Sequence, residues 1–133
     1  LQPQIKYGNG DGAYYNYALT YNQEAYGGVP IATFYKAMNA EGIPVGGYIG
    51  KGLHKDSWID YITTLPEYNM LFSAARLKEF KEKNKHMPNC DKVCATVVRL
   101  SGGGPLTAPM SYMEDFYNAA MKVYENRDKL KSL

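Results

Sequence analysis

The sequence predicts an α+β fold, with a small, mainly antiparallel three-stranded sheet and helices packed on one face. Residues 14–21 alternate along the chain as a strand does, and apolar stripes of helical period occupy 31–38 and 113–124. Glycine- and proline-rich breaks separate these segments. A chain of 133 residues, 45% of them hydrophobic, can bury one core, so we expect a single small domain over 1–133.

The chain is expected to open with a lead-in loop over 1–13, because Gly8, Gly10 and Gly12 tolerate positive φ. A phosphate-cradling role for these glycines is disfavoured, since a strand and not a helix follows them. The first strand is predicted over 14–21, where aromatic and β-branched residues suit a pleated surface.

The first helix is predicted to begin at Pro30, whose missing N–H costs nothing in a first turn. Its apolar stripe covers 31–38 at the spacing of one helical face. Gly42 is the expected C-terminal stop, and Pro44 prevents continuation. A second strand is predicted over 44–51, leaving the sheet in a glycine-rich loop.

The middle of the chain is expected to be a helical insertion over 55–86. One helix is predicted over 68–84, whereas the apolar residues of 55–66 have mixed spacing and indicate no single element. Asn89 is expected to cap a short helix that carries two cysteines, and 96–100 to form the third strand.

The closing helix is the clearest element of the sequence. Ser111 and Glu114 have the spacing of a capping box, in which each side chain accepts from a main-chain N–H of the first turn. A continuous apolar stripe follows, and the helix is expected over 113–130 with lysines near its end.

Composition excludes several classes of function. The net charge of +2 is too balanced to indicate a nucleic-acid partner, and no apolar stretch approaches the ~20 residues that cross a membrane. Cys90 and Cys94 supply only half of a zinc site, and His54 and His86 lie in different segments, so no metal is expected. Two neighbouring thiols without a secretory signal fit a reducing cytoplasm.

The segment with most functional promise is the loop over 46–55. Tyr48, Lys51 and His54 place a phenol, a cation and an imidazole on a pliable loop after a strand, where they could contact a hydroxylated or anionic ligand. A plain turn with solvated lysines and a packed tyrosine remains the alternative. No catalytic constellation is visible, so catalytic residues are not assigned.

Several segments together resemble the C-terminal region of DegT/DnrJ-type sugar aminotransferases. They are an aromatic strand, a helix that ends in a short motif, a Gly-Tyr…Leu-His loop, a proline followed by a short helix, and a closing helix. The resemblance covers about 14–130, and its weight comes from this order and from the run Ala40-Glu41-Gly42-Ile43-Pro44-Val45.

The resemblance implies a cytoplasmic, homodimeric fold-type I enzyme that depends on pyridoxal phosphate. Its members move an amino group from glutamate or glutamine to a keto-sugar or keto-cyclitol. It implies that the lysine that binds the cofactor belongs to a large domain, so that this chain would be a small C-terminal domain, inactive alone. Tyr48, Lys51 and His54 would then contact the sugar-like substrate.

Two departures from the family pattern affect the expected substrate. The chain has Leu-Ser-Gly-Gly-Gly at 100–104 where members carry Leu-Pro-His or Leu-Pro-Met, and 59–85 is longer and more charged than usual. The alternatives are a stand-alone α+β module that binds a ligand through 46–55, and a purely structural domain whose apolar helix faces form an interaction surface.

Overall fold

The computed structural model describes residues 1–5, 8–9, 14–101 and 104–131. The chain forms two compact units. The first unit comprises Leu1–Tyr48 and Thr96–Leu133, and the second comprises Ile49–Ala95. The predicted insertion over 55–86 falls inside the second unit.

The first unit contains a four-stranded antiparallel sheet, in the order β1-β2-β4-β3. The strands are β1 (Gln2–Pro3), β2 (Asn16–Thr20), β3 (Val45–Gly46) and β4 (Val97–Ser101). The predicted α+β class is confirmed, but the predicted strand count is one too low. The extra strand lies in the expected lead-in loop, where main-chain groups pair with the free edge of β2 irrespective of side-chain pattern. The rest of the glycine-rich stretch at 10–13 lies outside the described residues.

The second predicted strand, over 44–51, is much shorter in the structure. Pairing with β4 stops after Gly46, because the glycines that follow offer no side chain to pack against the sheet. A loop beginning at Gly47 takes its place.

Helix α1 (Ile31–Ala40) lies where the apolar stripe predicts it and buries Phe34 and Met38 completely. Beyond its C-cap at Glu41 the chain turns at Gly42, whose φ of +83° is disfavoured for any residue with a Cβ. The N–H of Ile43 then donates to the Met38 carbonyl at 3.0 Å, which turns the chain directly into β3.

The core of the first unit lies between one face of the sheet and two helices, α1 and α6 (Met110–Glu125). Val98 and Leu100 of β4 are 0% and 1% exposed on this face. The Tyr21 hydroxyl donates to the Val29 carbonyl at 2.8 Å, and burial raises the pKa of Tyr21 to about 12. The other core residues include Leu19, Tyr26, Phe34, Met38, Ile43, Val45, Ala119, Ala120 and Val123.

Two side chains of α1 bind main-chain carbonyls of the sheet. The Tyr35 hydroxyl donates to the Val97 carbonyl at 2.5 Å, and Asn39 Nδ2 donates to the Val45 carbonyl at 2.8 Å. The main-chain N–H of Tyr21 donates to the Thr96 carbonyl, which therefore faces β2. Because successive carbonyls of a strand face opposite sides, the Val97 carbonyl faces away from β2. Burial raises the pKa of Tyr35.

The predicted capping box of the closing helix is wrong. Helix α6 begins after Pro109, no side chain caps it, and Ser111 lies inside its first turn instead of before it. The fixed φ of Pro109 suits the start of a helix, which moves the start two residues earlier. The helix expected over 113–130 also breaks at Asn126, after which the short α7 (Arg127–Leu130) follows.

The second unit is helical. A 3₁₀ turn (Leu53–Lys55) leads into α2 (Ser57–Ile62), which is followed by α3 (Pro66–Leu71), α4 (Ala74–Asn84) and α5 (Pro88–Thr96). No helix among the described residues is long and apolar enough to cross a membrane.

Two helix boundaries in this unit differ from the sequence prediction. The single helix expected over 68–84 is interrupted, because Phe72 is extended and the Ser73 hydroxyl accepts from the N–H of Arg76 at 3.2 Å to start α4. Asn89 does not cap α5, because the Met87 carbonyl already accepts from Asp91 at 3.0 Å and Asn89 is helical.

Candidate functional site

Tyr48 lies on the loop that follows β3 in the first unit. Its side chain is 57% exposed, so the alternative of a packed tyrosine is not what the structure shows. Arg99, on β4, places its guanidinium carbon 5.4 Å from the centre of the Tyr48 ring. This distance is within the range of cation–π attraction. Tyr48 therefore presents an exposed phenol beside a cation.

Lys51 and His54 belong to the second unit, where both line one open cleft of ≈ 670 Å³. The structure thus brings together two of the three residues predicted to contact a ligand. The cleft carries charges of both signs, and its other lining residues are Lys55, Asp56, Ser57, Ile59, Asp60, Lys81, Glu82 and Lys85.

Lys51 is exposed, and its ammonium is neutralised locally. Its Nζ lies 2.7 Å from Asp56 Oδ1 and donates to the Lys55 carbonyl at 3.5 Å. Asp56 precedes α2 but makes no capping hydrogen bond to it. An exposed pair of this kind contributes at most about 1 kcal/mol, so a ligand hydroxyl can replace one of its partners at little cost.

His54 is held inside the second unit. Only 1% of its side chain is exposed, and its Nε2 lies 3.3 Å from Asp91 Oδ1. Neither ring nitrogen has a hydrogen-bond partner among the described residues. A Cβ added to Gly52 would overlap the His54 ring and lie 2.7 Å from Cys90 Sγ, so both side chains pack against that glycine. His54 therefore faces the cleft from a buried position.

Asp91, on α5, contacts both His54 and Lys55 of the 3₁₀ turn. Nothing in the sequence indicates this contact. Asp91 Oδ1 lies 2.5 Å from Lys55 Nζ, in addition to its contact with His54. The hydrogen bond from Lys55 lowers the pKa of Asp91, and the positive charge of Lys55 adds to this effect. Asp91 is therefore a carboxylate at neutral pH and holds the 3₁₀ turn against α5 through Lys55.

The two cysteines lie on α5 of the same unit. Burial raises the pKa of Cys94, and the neighbouring Cys90 raises it further. The Cys94 thiol is therefore protonated at neutral pH and is a poor nucleophile. Within the part of the chain that the structure describes, no three His, Cys, Asp or Glu side chains are arranged to hold a metal ion.

Arg99 is the functional candidate that the sequence prediction missed. It faces away from the core, since Val98 and Leu100 on either side of it are buried on the other face. Its cross-strand neighbours are Ala18 and Gly46, which leave space around its stem. A single cation in the apolar run Val97-Val98-Arg99-Leu100 is the signal that could have identified it.

The described residues do not fit the cofactor that the family resemblance implies. A lysine that binds pyridoxal phosphate covalently is activated by burial or by a neighbouring cation. No lysine among the described residues is buried, and Lys51, Lys55 and Lys81 are each paired with a carboxylate. No step of a reaction on the cofactor is therefore assigned to this chain.

Comparisons of the chain with protein-family models, with curated proteins and with solved structures find no match. Function is therefore argued from the residues and their geometry.

Proposed function

We propose that this chain is the C-terminal small domain of a pyridoxal-phosphate-dependent aminotransferase of the DegT/DnrJ type, cytoplasmic and homodimeric as a whole enzyme. In this proposal the large domain holds the cofactor, which supplies the electron sink for moving an amino group from glutamate or glutamine to a keto-sugar or keto-cyclitol. This chain contributes part of the wall of the substrate site.

The observation that carries the proposal is the run from Ala40 to Val45 and its place in the order of elements. Three residues of that run have a physical role in joining the helix to the strand. Gly42 supplies the positive φ, Ile43 is 3% exposed in the core, and Val45 starts the pairing of β3 with β4. A sequence that preserves this run preserves the direction in which the following loop leaves the sheet.

The cleft of the second unit supports a sugar-like substrate. A sugar presents many hydroxyl groups, each able to donate and to accept, so it is matched by a surface that carries both donors and acceptors. Lys51 and Lys81 supply donors, while Asp56 and Asp60 supply acceptors. In the proposal Lys51 contacts the substrate directly, and the buried His54 positions the turn that carries Lys55.

Adding pyridoxal phosphate to the 133-residue chain tests the proposal that the cofactor is bound by the large domain and not by this chain. The proposal expects only weak absorbance changes that grow without saturation, as exposed lysines react unselectively. A saturable absorbance band that survives removal of free cofactor would overturn it. The coding sequence upstream of Leu1 provides a second test, because the proposal requires a large domain with a cofactor-binding lysine there.

Kinetics of the parent enzyme test the role of the cleft. Lys51→Met is expected to raise KM for the sugar substrate about 10- to 150-fold, the effect of losing one charged hydrogen bond. Lys83→Met is the matched control, because Lys83 pairs with Glu79 at 2.6 Å on the same unit but does not line the cleft. Equal KM values for the two variants would refute the role of Lys51.

A purely structural domain, whose apolar helix faces form an interaction surface, is the second candidate. The second unit leaves large apolar side chains on its surface, with Tyr61, Met70 and Leu71 exposed by 63%, 86% and 76%. This candidate predicts that Tyr48→Ala and His54→Ala leave the kinetics of any parent enzyme unchanged.

A further inference from the structure

The three arginines of the chain differ in how their guanidinium groups are satisfied. Arg76 pairs with Glu79 at 3.1 Å, and Arg127 donates to the Tyr124 carbonyl at 2.9 Å. For Arg99, Nε is buried without a hydrogen-bond partner, and none of the described carboxylates forms an ion pair with it. An enclosed charged donor without an acceptor costs free energy, which a matching acceptor recovers.

The surroundings of Arg99 leave room for such an acceptor. Its cross-strand neighbours, Ala18 on β2 and Gly46 on β3, are among the smallest residues. A Cβ built on Gly46 would meet no atom within 4 Å, so the space beside that strand is open. The ring of Tyr48 lies over the guanidinium, and its side chain is 57% exposed.

We propose that Arg99 and Tyr48 form a binding subsite for a small oxyanion, the carboxylate or phosphate group of a ligand. A guanidinium presents Nε–H and one Nη–H along the same edge, and this pair matches two oxygens of either group. In the proposal the Tyr48 ring, whose centre lies 5.4 Å from Arg99 Cζ, flanks the bound group, and the two glycines before Tyr48 let it move aside to admit the ligand. The subsite lies in the first unit and goes beyond the proposed function, which assigns Arg99 no role.

Arg127 is an internal control for this subsite. Its guanidinium also lies over a tyrosine ring, with Cζ 4.4 Å from the centre of Tyr124. Because it already donates to a main-chain carbonyl, it has less to gain from an oxyanion. A simple attraction of anions to arginine–tyrosine pairs would therefore act on both arginines, whereas a built subsite acts on Arg99 alone.

The test is an NMR titration of the ¹⁵N-labelled 133-residue chain that follows the arginine Nε–H signals. Sodium acetate, inorganic phosphate and sodium chloride are added in separate titrations at constant ionic strength. The proposal expects a saturable downfield shift of the Arg99 signal with acetate or phosphate and no such shift with chloride. The tighter of the two ligands identifies a carboxylate or a phosphate group. Shifts that are linear, or equal for chloride, would overturn the proposal.

Variants complete the experiment. Arg99→Gln is expected to weaken binding at least about tenfold, as measured on the remaining amide signals, whereas Arg127→Gln changes it less than about twofold. If Arg99→Gln fails to fold, Arg99→Lys serves, because a lysine keeps the charge but loses the paired donors. Wild-type affinity in Arg99→Lys would overturn the proposal.

Discussion

Among the described glycines, Gly52 has the least room for a side chain, so Gly52→Ala tests the packing around His54 most directly. The added Cβ would overlap the His54 ring and approach Cys90 Sγ to 2.7 Å. The φ of Gly52 is −62°, which any residue adopts, so backbone strain contributes nothing. Any destabilisation must therefore come from the extra volume.

The size of the effect follows from two opposing contributions. Forcing a methyl group into a filled site costs about 1–3 kcal/mol, and the His54 ring, 1% exposed, must shift to admit it. Replacing glycine by alanine also stiffens the unfolded chain, which stabilises the fold by about 0.4–1 kcal/mol. We expect Gly52→Ala to lower the free energy of unfolding by about 1.3 kcal/mol, the difference between the midpoints of these two contributions.

Urea unfolding followed by tryptophan fluorescence measures this change. The single tryptophan, Trp58, donates from its indole nitrogen to the Leu53 carbonyl at 3.1 Å, so it reports on the same turn. Gly50→Ala is the control, because its Cβ would meet no atom within 4 Å and its stability should be unchanged or slightly higher. Adding Cys90→Ala to Gly52→Ala should recover part of the loss. Equal stability of the Gly50 and Gly52 variants would refute the packing described here.

Three further predictions concern single contacts. Tyr21→Phe should lower the free energy of unfolding by about 1 kcal/mol at neutral pH. Because the pKa of Tyr21 is about 12 in the folded chain and 10.0 ordinarily, the wild-type chain loses stability as pH rises from 10 through 12. Urea unfolding should therefore show a smaller difference in unfolding free energy between the two proteins at alkaline pH. NMR titration should place the pKa of Asp91 below its ordinary value of 3.8. The ionised Asp91 then stabilises the fold above pH 3.8, and this stabilisation is lost as pH falls through the lowered pKa. Lys55→Met should raise the pKa of Asp91, and an unchanged pKa would contradict the ion pair. Ser73→Ala should destabilise the chain by about 1 kcal/mol, whereas Ser111→Ala should change stability by less than about 0.5 kcal/mol, because only the first serine caps a helix.

The parts of the fold that could be predicted from sequence are those in which local pattern and tertiary contact agree. The stripe that contains Phe34 and Met38 predicts α1, and both residues are completely buried. Gly42 predicts the end of that helix because only a residue without a Cβ readily adopts its φ. The strand over 14–21 was predicted correctly at its centre, where Leu19 faces the core.

The parts that could not be predicted depend on contacts between distant segments. Nothing in the pattern around Asp91 indicates that Lys55 and His54 lie beside it. The start of α4 after Ser73 could not be predicted, because the apolar stripe continues across the interruption between α3 and α4. The lone cation in an apolar run singles out Arg99 in the sequence, but the space beside it is known only from its small neighbours across the sheet.

The same limit applies to the candidate site. Lys51 and His54 were predicted from their loop and line one cleft in the structure, but the burial of the His54 ring depends on α5. A sequence pattern identifies which side chains a loop carries. It does not show which of them a later helix covers.

The hydrogen bond from Tyr35 to the Val97 carbonyl has a consequence for association between molecules. Strand β3 pairs only with Arg99 and Leu100, so the rest of that edge of β4 could accept a strand from another chain. The Tyr35 hydroxyl already donates to the Val97 carbonyl, which is the first acceptor that an added strand would need. Because burial raises the pKa of Tyr35, this protection against edge-to-edge aggregation extends further into alkaline solution than an exposed tyrosine would allow.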